Sequence, residues 1–424
     1  MRPGPVTAVV LVLSWPLHAL RADDHRTPRA GEPVTATLFG FDVSAPERDR
    51  RSVTYLNAGG AFLGRAPEEK GFSPQGGLYF WRMSEEGSSR LRAIVAGIAN
   101  EVRWDHAAST GSPFSLVLAL DSLTLPWARS EYRQGVRMAA GEMEAHEARV
   151  GVGLAWRRGL TPFVLGACDN MVDVALTVEP GALWFRRGSD TAATALLPSD
   201  TFEGRLHFRL RADALERNIV ELPHRGWAAG ADVTSGWRSR WERWGLPEEG
   251  LARGGKSWLA ASAYAWAAFR PFPGLSERHR MIASAHVGIG SDLDRFSAFR
   301  LGNGSSWGDY ETLSKAVLPA AGVDEIFTSR YAVADLEYRF ELLYFLYLQL
   351  RGTLAWADRP VAAAGGTATR TGSFPAVTAG ITTGLPWNLS LEAALSHNFG
   401  LERTREGRVE KGSTGFLFSL TKEF

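Results

Sequence analysis

The chain has 424 residues and a formal net charge of +1, with Lys+Arg 47 against Asp+Glu 46. That balance excludes a whole-chain field that would draw in nucleic acid or a strongly acidic partner, and the single cysteine, Cys168, excludes an intramolecular disulfide framework. Neither that cysteine, which reads as an unreactive strand residue, nor His 9 has the spacing of a zinc or iron site, so no metal and no cofactor are expected.

At the N-terminus Arg2, the apolar run at residues 6–13 and the small residues Ala19 and Ala22, just before Asp23 and Asp24, read as a secretion signal over residues 1–22. Pro16 and the shortness of the run argue against a spanning helix, and no later stretch approaches the roughly 20 apolar residues that one requires. Residues 23–52 carry Pro28, Pro33, Pro46 and the charge run 47–51. They read as a periplasmic lead-in, too short for a folded module.

Candidate strands then succeed one another at residues 76–83, 90–104, 113–121, 131–142, 147–157, 160–169, 174–186, 202–212, 225–237, 256–268 and 279–290. Residues 53–63 are either a further strand or the end of the lead-in. Between residues 224 and 245, Arg225, Arg238, Arg240 and Arg243 interleave with Trp227, Trp237, Trp241 and Trp244. This is either an aromatic girdle with incidental basic residues, or a surface where Arg238, Arg240, Arg243 and Trp241 meet lipopolysaccharide phosphates.

The C-terminal segments alternate cleanly. In residues 331–342 Asp335, Glu337, Arg339 and Glu341 share one parity, while Ala332, Ala334, Leu336, Tyr338, Phe340 and Leu342 share the other. Leu346, Leu348, Leu350, Leu354 and Trp356 oppose Gln349, Arg351 and Thr353, and residues 375–385 and 387–396 sort in the same way. The last segment puts Phe416, Phe418, Leu420 and the terminal Phe424 on one side, with Lys422 the only break, and this aromatic end is the expected insertion signal for the barrel assembly machinery. The joins are short near 341–343 and 386–387 and long at 358–374 and 400–412. Eleven strands before Gly290 and five after it make sixteen, with about 25 residues for each tilted strand and its connection. The expected fold is an all-β transmembrane antiparallel β-barrel over residues 53–424, both termini periplasmic, in the bacterial outer membrane. Residues 291–329 would form a long lid or surface loop.

The run FRLGNGSSWGDY at residues 299–310, followed by RYAVADLEYRFEL at residues 330–342, resembles the sixteen-stranded barrel of the surface-antigen family, which contains outer-membrane assembly factors and two-partner secretion transporters. The resemblance covers the C-terminal part of the chain; the first half matches only as a generic barrel. It implies a Gly-rich loop, here Gly302, Gly304 and Gly308 with Tyr310, whose Arg-Gly-aromatic tip folds into the lumen and meets an acidic residue on a later strand. Trp307 stands where that arginine would be. Asp358 corresponds to the acidic partner, although alternation from Trp356 puts it on the lipid-facing parity. Arg300 facing Asp335 and Glu337 is the substitute pairing; otherwise these and Arg339 are solvated lumen charges. The family's usual periplasmic modules have no counterpart before residue 53, so a recruiting role would draw them from a periplasmic partner.

Three functions remain open: insertion or translocation of protein or lipid at the outer membrane, a passive diffusion pore, and a structural or adhesive surface barrel. No enzymatic activity is expected. Ser396 and His397 are adjacent in a strand and face opposite sides, and His286 near Ser284 has no third group to orient it. The expected partners are outer-membrane lipid and lipopolysaccharide.

Overall fold

The computed structural model describes residues 25–38, 41–64, 71–109, 111–124, 132–133, 135–160, 170–247, 255–303, 313–363, 366–405 and 408–424. Sixteen antiparallel strands close edge to edge into one barrel. They are β1 Ser52–Leu63, β2 Phe72–Met83, β3 Ser89–Val95, β4 Ala99–Ala107, β5 Phe114–Thr124, β6 Met143–Gly159, β7 Met171–Arg187 and β8 Thr201–Arg217 in the first half. In the second half come β9 Pro223–Arg238, β10 Ser257–Phe269, β11 His279–Ser291, β12 Arg330–Leu343, β13 Leu346–Ala363, β14, β15 Leu389–Arg405 and β16 Arg408–Glu423. Strand β14 runs in two pieces, Gly366–Ser373 and Ala376–Leu385, broken at Phe374 and Pro375, and both pieces pair with β13. Closure is made by β16 on β1, from Gly415↔Leu63 to Glu423↔Tyr55.

Alternation decides which side chain meets which medium. On β5 Phe114, Leu116, Leu118 and Leu120 are exposed on the outside while Ser115 and Val117 are buried. On β6 Val150, Val152 and Leu154 repeat the pattern, and Leu154 lies between Leu116 and Leu176 in register. Charges face inward and neutralise one another across strands. Arg157 reaches Asp105 at 2.9 Å and Asp173 at 3.2 Å, Arg209 reaches Asp173 at 2.9 Å, and Arg211 reaches Asp232 at 2.7 Å. An apolar exterior around a polar interior is the wall of an outer-membrane barrel.

The expected count of eleven strands up to Gly290 survives because two unexpected strands offset two segments, 131–142 and 160–169, that supply no wall strand among the described residues. Residues 53–63 belong to β1, and segment 90–104 is two strands, β3 and β4, divided at Ala96, Gly97 and Ile98, with Gly97 at φ 77°. Segment 131–142 is not part of the wall. It holds a two-residue hairpin, Tyr132–Arg133 with Val136–Arg137, and a 3-10 turn, Ala139–Gly141. Segment 161–169 with Cys168, and the expected signal at 1–22, lie outside the described residues. The joins at 358–374 and 400–412 are hairpins whose strands stay paired well into the join, not irregular loops. The β12–β13 turn falls at Tyr344 and Phe345, one step beyond the expected 341–343.

The start of β1, the end of β16 and the turns after β2, β8, β12 and β14 share one end of the barrel. There residues 25–50 run as a strap containing the hairpin Val34–Leu38 with Phe41–Ala45. Thr27 Oγ1 donates to Glu341 at 2.5 Å, His25 lies 2.7 Å from the same carboxylate, and the Ala30 amide donates to the Arg217 carbonyl. Arg48 pairs with both Glu221, in the turn after β8, and Glu423 on β16. One guanidinium therefore joins points eight strands apart, because that turn folds inward until a Cβ on Gly384 of β14 would meet Val220 at 3.2 Å. Outside the seam Phe416 lies 6.4 Å from Phe62, which packs on Phe72 at 4.6 Å.

Replacing Leu154 by arginine tests the bilayer-facing assignment of this exterior. In lipid vesicles Leu154→Arg should lower the unfolding free energy by about 2–4 kcal/mol in denaturant titration, and an unchanged midpoint would place that face in water.

Candidate functional site: the lumenal loop

The join between β11 and β12 is long enough to leave the wall, and it turns inward. Phe299–Leu301 pairs with Ile326–Thr328 as a short ribbon, and Gly302 bridges to Val317. A Cβ at Gly302 would sit 2.4 Å from the Asp324 nitrogen and 2.5 Å from the Gly322 oxygen, so the close crossing requires glycine there. Leu318, Ala320 and Ala321 are fully buried. Leu318 and Ala321 pack with Leu301 and Ile326 against the inward side chains Val333, Ala355, Phe374 and Leu401.

Polar contacts fix the loop to walls that face each other. The Leu313 carbonyl accepts from Trp266 Nε1 on β10 at 2.9 Å and from His286 Nε2 on β11 at 2.8 Å. The Pro319 carbonyl accepts from Asn398 on β15, and the Ala320 carbonyl accepts from Ser413 Oγ on β16 at 2.7 Å. Two ion pairs anchor the ends. Arg403 on β15, 2% exposed at its side chain, holds Glu325 with an Nη2 contact of 2.8 Å. Arg238 on β9, with its side chain fully buried, reaches Asp294 at 2.6 Å and Glu203 at 2.7 Å, and its guanidinium stacks 3.9 Å over Trp241. Arg295 donates to the Gly141 carbonyl, and Phe296 inserts among Phe185, Trp241 and Trp244. The loop is a strut across the lumen, so of the two readings, lid and surface loop, its described residues fit the first.

The sequence-derived site is only partly assembled. Gly304, Trp307, Gly308 and Tyr310 lie outside the described residues. Arg300 does not substitute for the expected tip arginine: it donates to the Arg295 carbonyl at 2.6 Å and stacks over Phe327, away from Asp335 and Glu337. Asp335, Glu337 and Arg339 face the lumen as expected, but they bind the wall. Asp335 accepts from Thr353 at 2.6 Å and Ser284 at 3.2 Å, Glu337 pairs with Arg339 and Arg351, and Arg339 donates to the Pro223 carbonyl. Asp358 is not the acidic partner. It sits on the outward parity, as alternation requires, and accepts from Arg330 and Thr371 at 2.7 Å each.

The basic-aromatic stretch is corrected too. Arg238 and Trp241 are buried on the inside and cannot touch lipopolysaccharide. Trp237 faces outward, so its neighbour Arg238 must face inward, and beyond the strand the chain folds over the mouth, with Leu196 and Gly245 bridged. Arg240 and Arg243 remain exposed. Among the other candidates Ser396 bonds Thr378, His397 bonds Thr414 on the outward face, and Ser284 and His286 engage separate partners. In the final strand Phe416, Phe418 and Phe424 are exposed and Leu420 is half-exposed, all on the outer face. Sequence reasoning missed Glu203, Asp294, Glu325 and Arg403. The register irregularity between Asn398 and Glu402 shifts the parity of β15 and turns Arg403 inward, which strict alternation hides.

Fold and site together define a sixteen-stranded outer-membrane barrel with the described part of one loop folded into its lumen. A crystal structure of BamA from Haemophilus ducreyi lacking POTRA domains 1–3 is similar, with 12% identity and a TM-score of 0.50 over 99% of this chain and 79% of that one. CdiB from Acinetobacter baumannii aligns at 10% identity and a TM-score of 0.46, covering 92% of this chain and 64% of that one. CdiB from Escherichia coli aligns at 12% and 0.44, covering 95% and 68%. Likeness at such identities is one of fold. No protein-family model and no curated protein matches the chain.

Removing one partner of the Arg403–Glu325 pair should cost about 3–5 kcal/mol, because the other charge is left buried and uncompensated. Arg403→Ala and Glu325→Ala should each shift the denaturant midpoint, and the double variant should fall well short of their sum. Strict additivity would show that the two side chains do not interact.

Proposed function

We propose that this chain is an outer-membrane barrel of surface-antigen type that takes part in inserting or translocating protein or lipid, with the β11–β12 loop as its plug. The observation that carries this reading is the double anchorage of that loop, Asp294 on Arg238 and Glu325 on Arg403, on opposite parts of the wall. In a passive pore the same loop would only narrow the bore, whereas anchorage at both ends supports its holding the lumen shut. The short-turn end, with the strap at residues 25–50, is the periplasmic side in this reading, and recruiting modules come from a periplasmic partner. The outward Phe416, Phe418, Leu420 and Phe424 make the chain itself a client of the barrel assembly machinery. The barrel carries out no covalent chemistry.

A passive pore is the second reading. It draws on the cavity of about 1530 Å³ that remains in the lumen, lined in part by Glu337, Arg339 and Arg351. Planar-bilayer conductance separates the two. Purified wild-type protein should be closed, and deletion of residues 313–325, or Arg238→Ala combined with Arg403→Ala, should open a steady conductance. A large, steady wild-type conductance that these changes leave unaltered would overturn the plug reading.

A further inference from the structure

Among the described residues the wall is incomplete beside β2. The β2–β3 ladder holds only six pairs, from Leu78↔Val95 to Met83↔Arg90. Strand β2 continues through residues 72–77, paired to β1 from Phe62↔Phe72 to Asn57↔Gly77. On its other side the chain has already turned back at residues 96–98, with the Ala96 amide bonded to the Ala99 carbonyl, and no strand among the described residues is laddered to β2 beyond Leu78. Six residues of strand edge, about 20 Å, therefore border a gap.

The chemistry of that edge tells what can occupy it. The Leu63 amide bonds the Gly71 carbonyl, so the odd-numbered residues here turn their backbone groups toward β1, and Phe72, Pro74 and Gly76 turn theirs toward the gap. Proline has no N–H, so an added strand would find no donor at Pro74. That is how a sheet edge is protected from strand pairing. A polypeptide strand is thus a poor occupant, whereas an apolar chain needs no donor.

Behind the gap the lumen wall is apolar. The cavity of about 1530 Å³ reaches Pro74, Gly76 and Ile98 at the edge and runs inward to Tyr55, Tyr79 and Trp81. Tyr55 and Tyr79 stack at 4.6 Å and form one apolar cluster with Trp81, Val53 and Ile94. Outside, the gap is flanked by the exposed Phe72, Leu78 and Val95, continuous with the lipid-facing surface.

We propose that the gap above the turn at residues 96–98 is a lateral portal through which an acyl chain of a bilayer lipid enters the lumen and packs along the Tyr55, Tyr79 and Trp81 wall. The inference requires only that the barrel lies in a bilayer and is independent of the plug reading. The full chain is reconstituted in phosphatidylcholine vesicles containing a phospholipid with a diazirine at the end of one acyl chain, irradiated, and its adducts are mapped by mass spectrometry. Adducts are expected on Tyr79 inside as well as on Leu154 outside. Ala99→Trp, and separately Ile98→Trp, should reduce the Tyr79 adduct several-fold and leave Leu154 labelling unchanged, with heat-modifiable migration confirming that each variant is folded. Pro74→Ala, which restores the N–H without filling the gap, should keep the Tyr79 adduct. Labelling of Leu154 with none on Tyr79, or Tyr79 labelling that both tryptophan variants leave intact, would overturn the portal. So would a benzoylphenylalanine in place of Ile98 that, in native outer membranes, captured polypeptide and no lipid.

Discussion

The structure depends on one requirement: backbone polar groups in hydrocarbon must bond within the protein, so the sheet has to close on itself. Closure fixes the parity of every strand, because each residue then faces either lipid or lumen. Leu116, Leu154 and Leu176 can sit side by side outside only if Asp105, Arg157 and Asp173 are gathered inside. Once inside, those charges must compensate one another, which they do across strands. Departures from parity are therefore informative. The irregularity between Asn398 and Glu402 is one, and its product is Arg403, buried and aimed at the loop.

At its described ends the loop supplies the acids, Asp294 and Glu325, and the wall supplies the arginines, Arg238 and Arg403, while the tip position that the family resemblance gives to an arginine, here Trp307, lies outside the described residues. Electrostatics permits either arrangement, since what must be avoided is a buried charge with no partner. Placing the arginines on the wall has a geometric consequence. Their long planar forks are held by fixed neighbours, Glu203 and Trp241 for Arg238 and Ser413 for Arg403, so the loop docks onto preset donors. Five strands lie between β9 and β15, and a loop held at both is a crossbeam rather than a flap.

How much of this was legible follows from what period-two alternation can encode. The last five strands were readable because each carries an apolar row of Leu or Phe against a polar row, and the join lengths revealed which turns share an end. The turn at Ala96, Gly97 and Ile98 was not, since three small or apolar residues interrupt neither the composition nor the alternation of their neighbours. Residues 131–142 failed for the opposite reason: Tyr132, Val136 and Met138 imitate an outward row in a segment that packs at the mouth. The Arg and Trp interleaving at 237–244 was visible but ambiguous, because alternation assigns a face only while a strand lasts, and β9 ends at Arg238. Asp358 shows the converse. Alternation placed it correctly on the outside, and the correspondence with a family acid was the part that failed.

The lumen is also unevenly filled, and the unevenness follows from side-chain size. Along β4 to β9 the inward positions carry Arg103, Arg149, Arg157, Arg209 and Arg211 with their carboxylates, long side chains that interlock and leave little room. Along β14 to β1 many inward positions are short, among them Thr378, Gly380, Thr382, Ala394, Ser396, Ser419, Thr421, Asn57 and Gly59, although Glu392, Leu417 and Tyr55 share that wall. Asn57 bonds Ser419 and Thr421 across the closing seam, a small neutral network where the other side has salt bridges. The cavity lies against this second wall and is bounded by the strap near Arg48 on one side and by the loop near Leu313 and Val317 on the other. The free volume adjoins the seam between the first and last strands, where the short side chains of Asn57, Ser419 and Thr421 leave room.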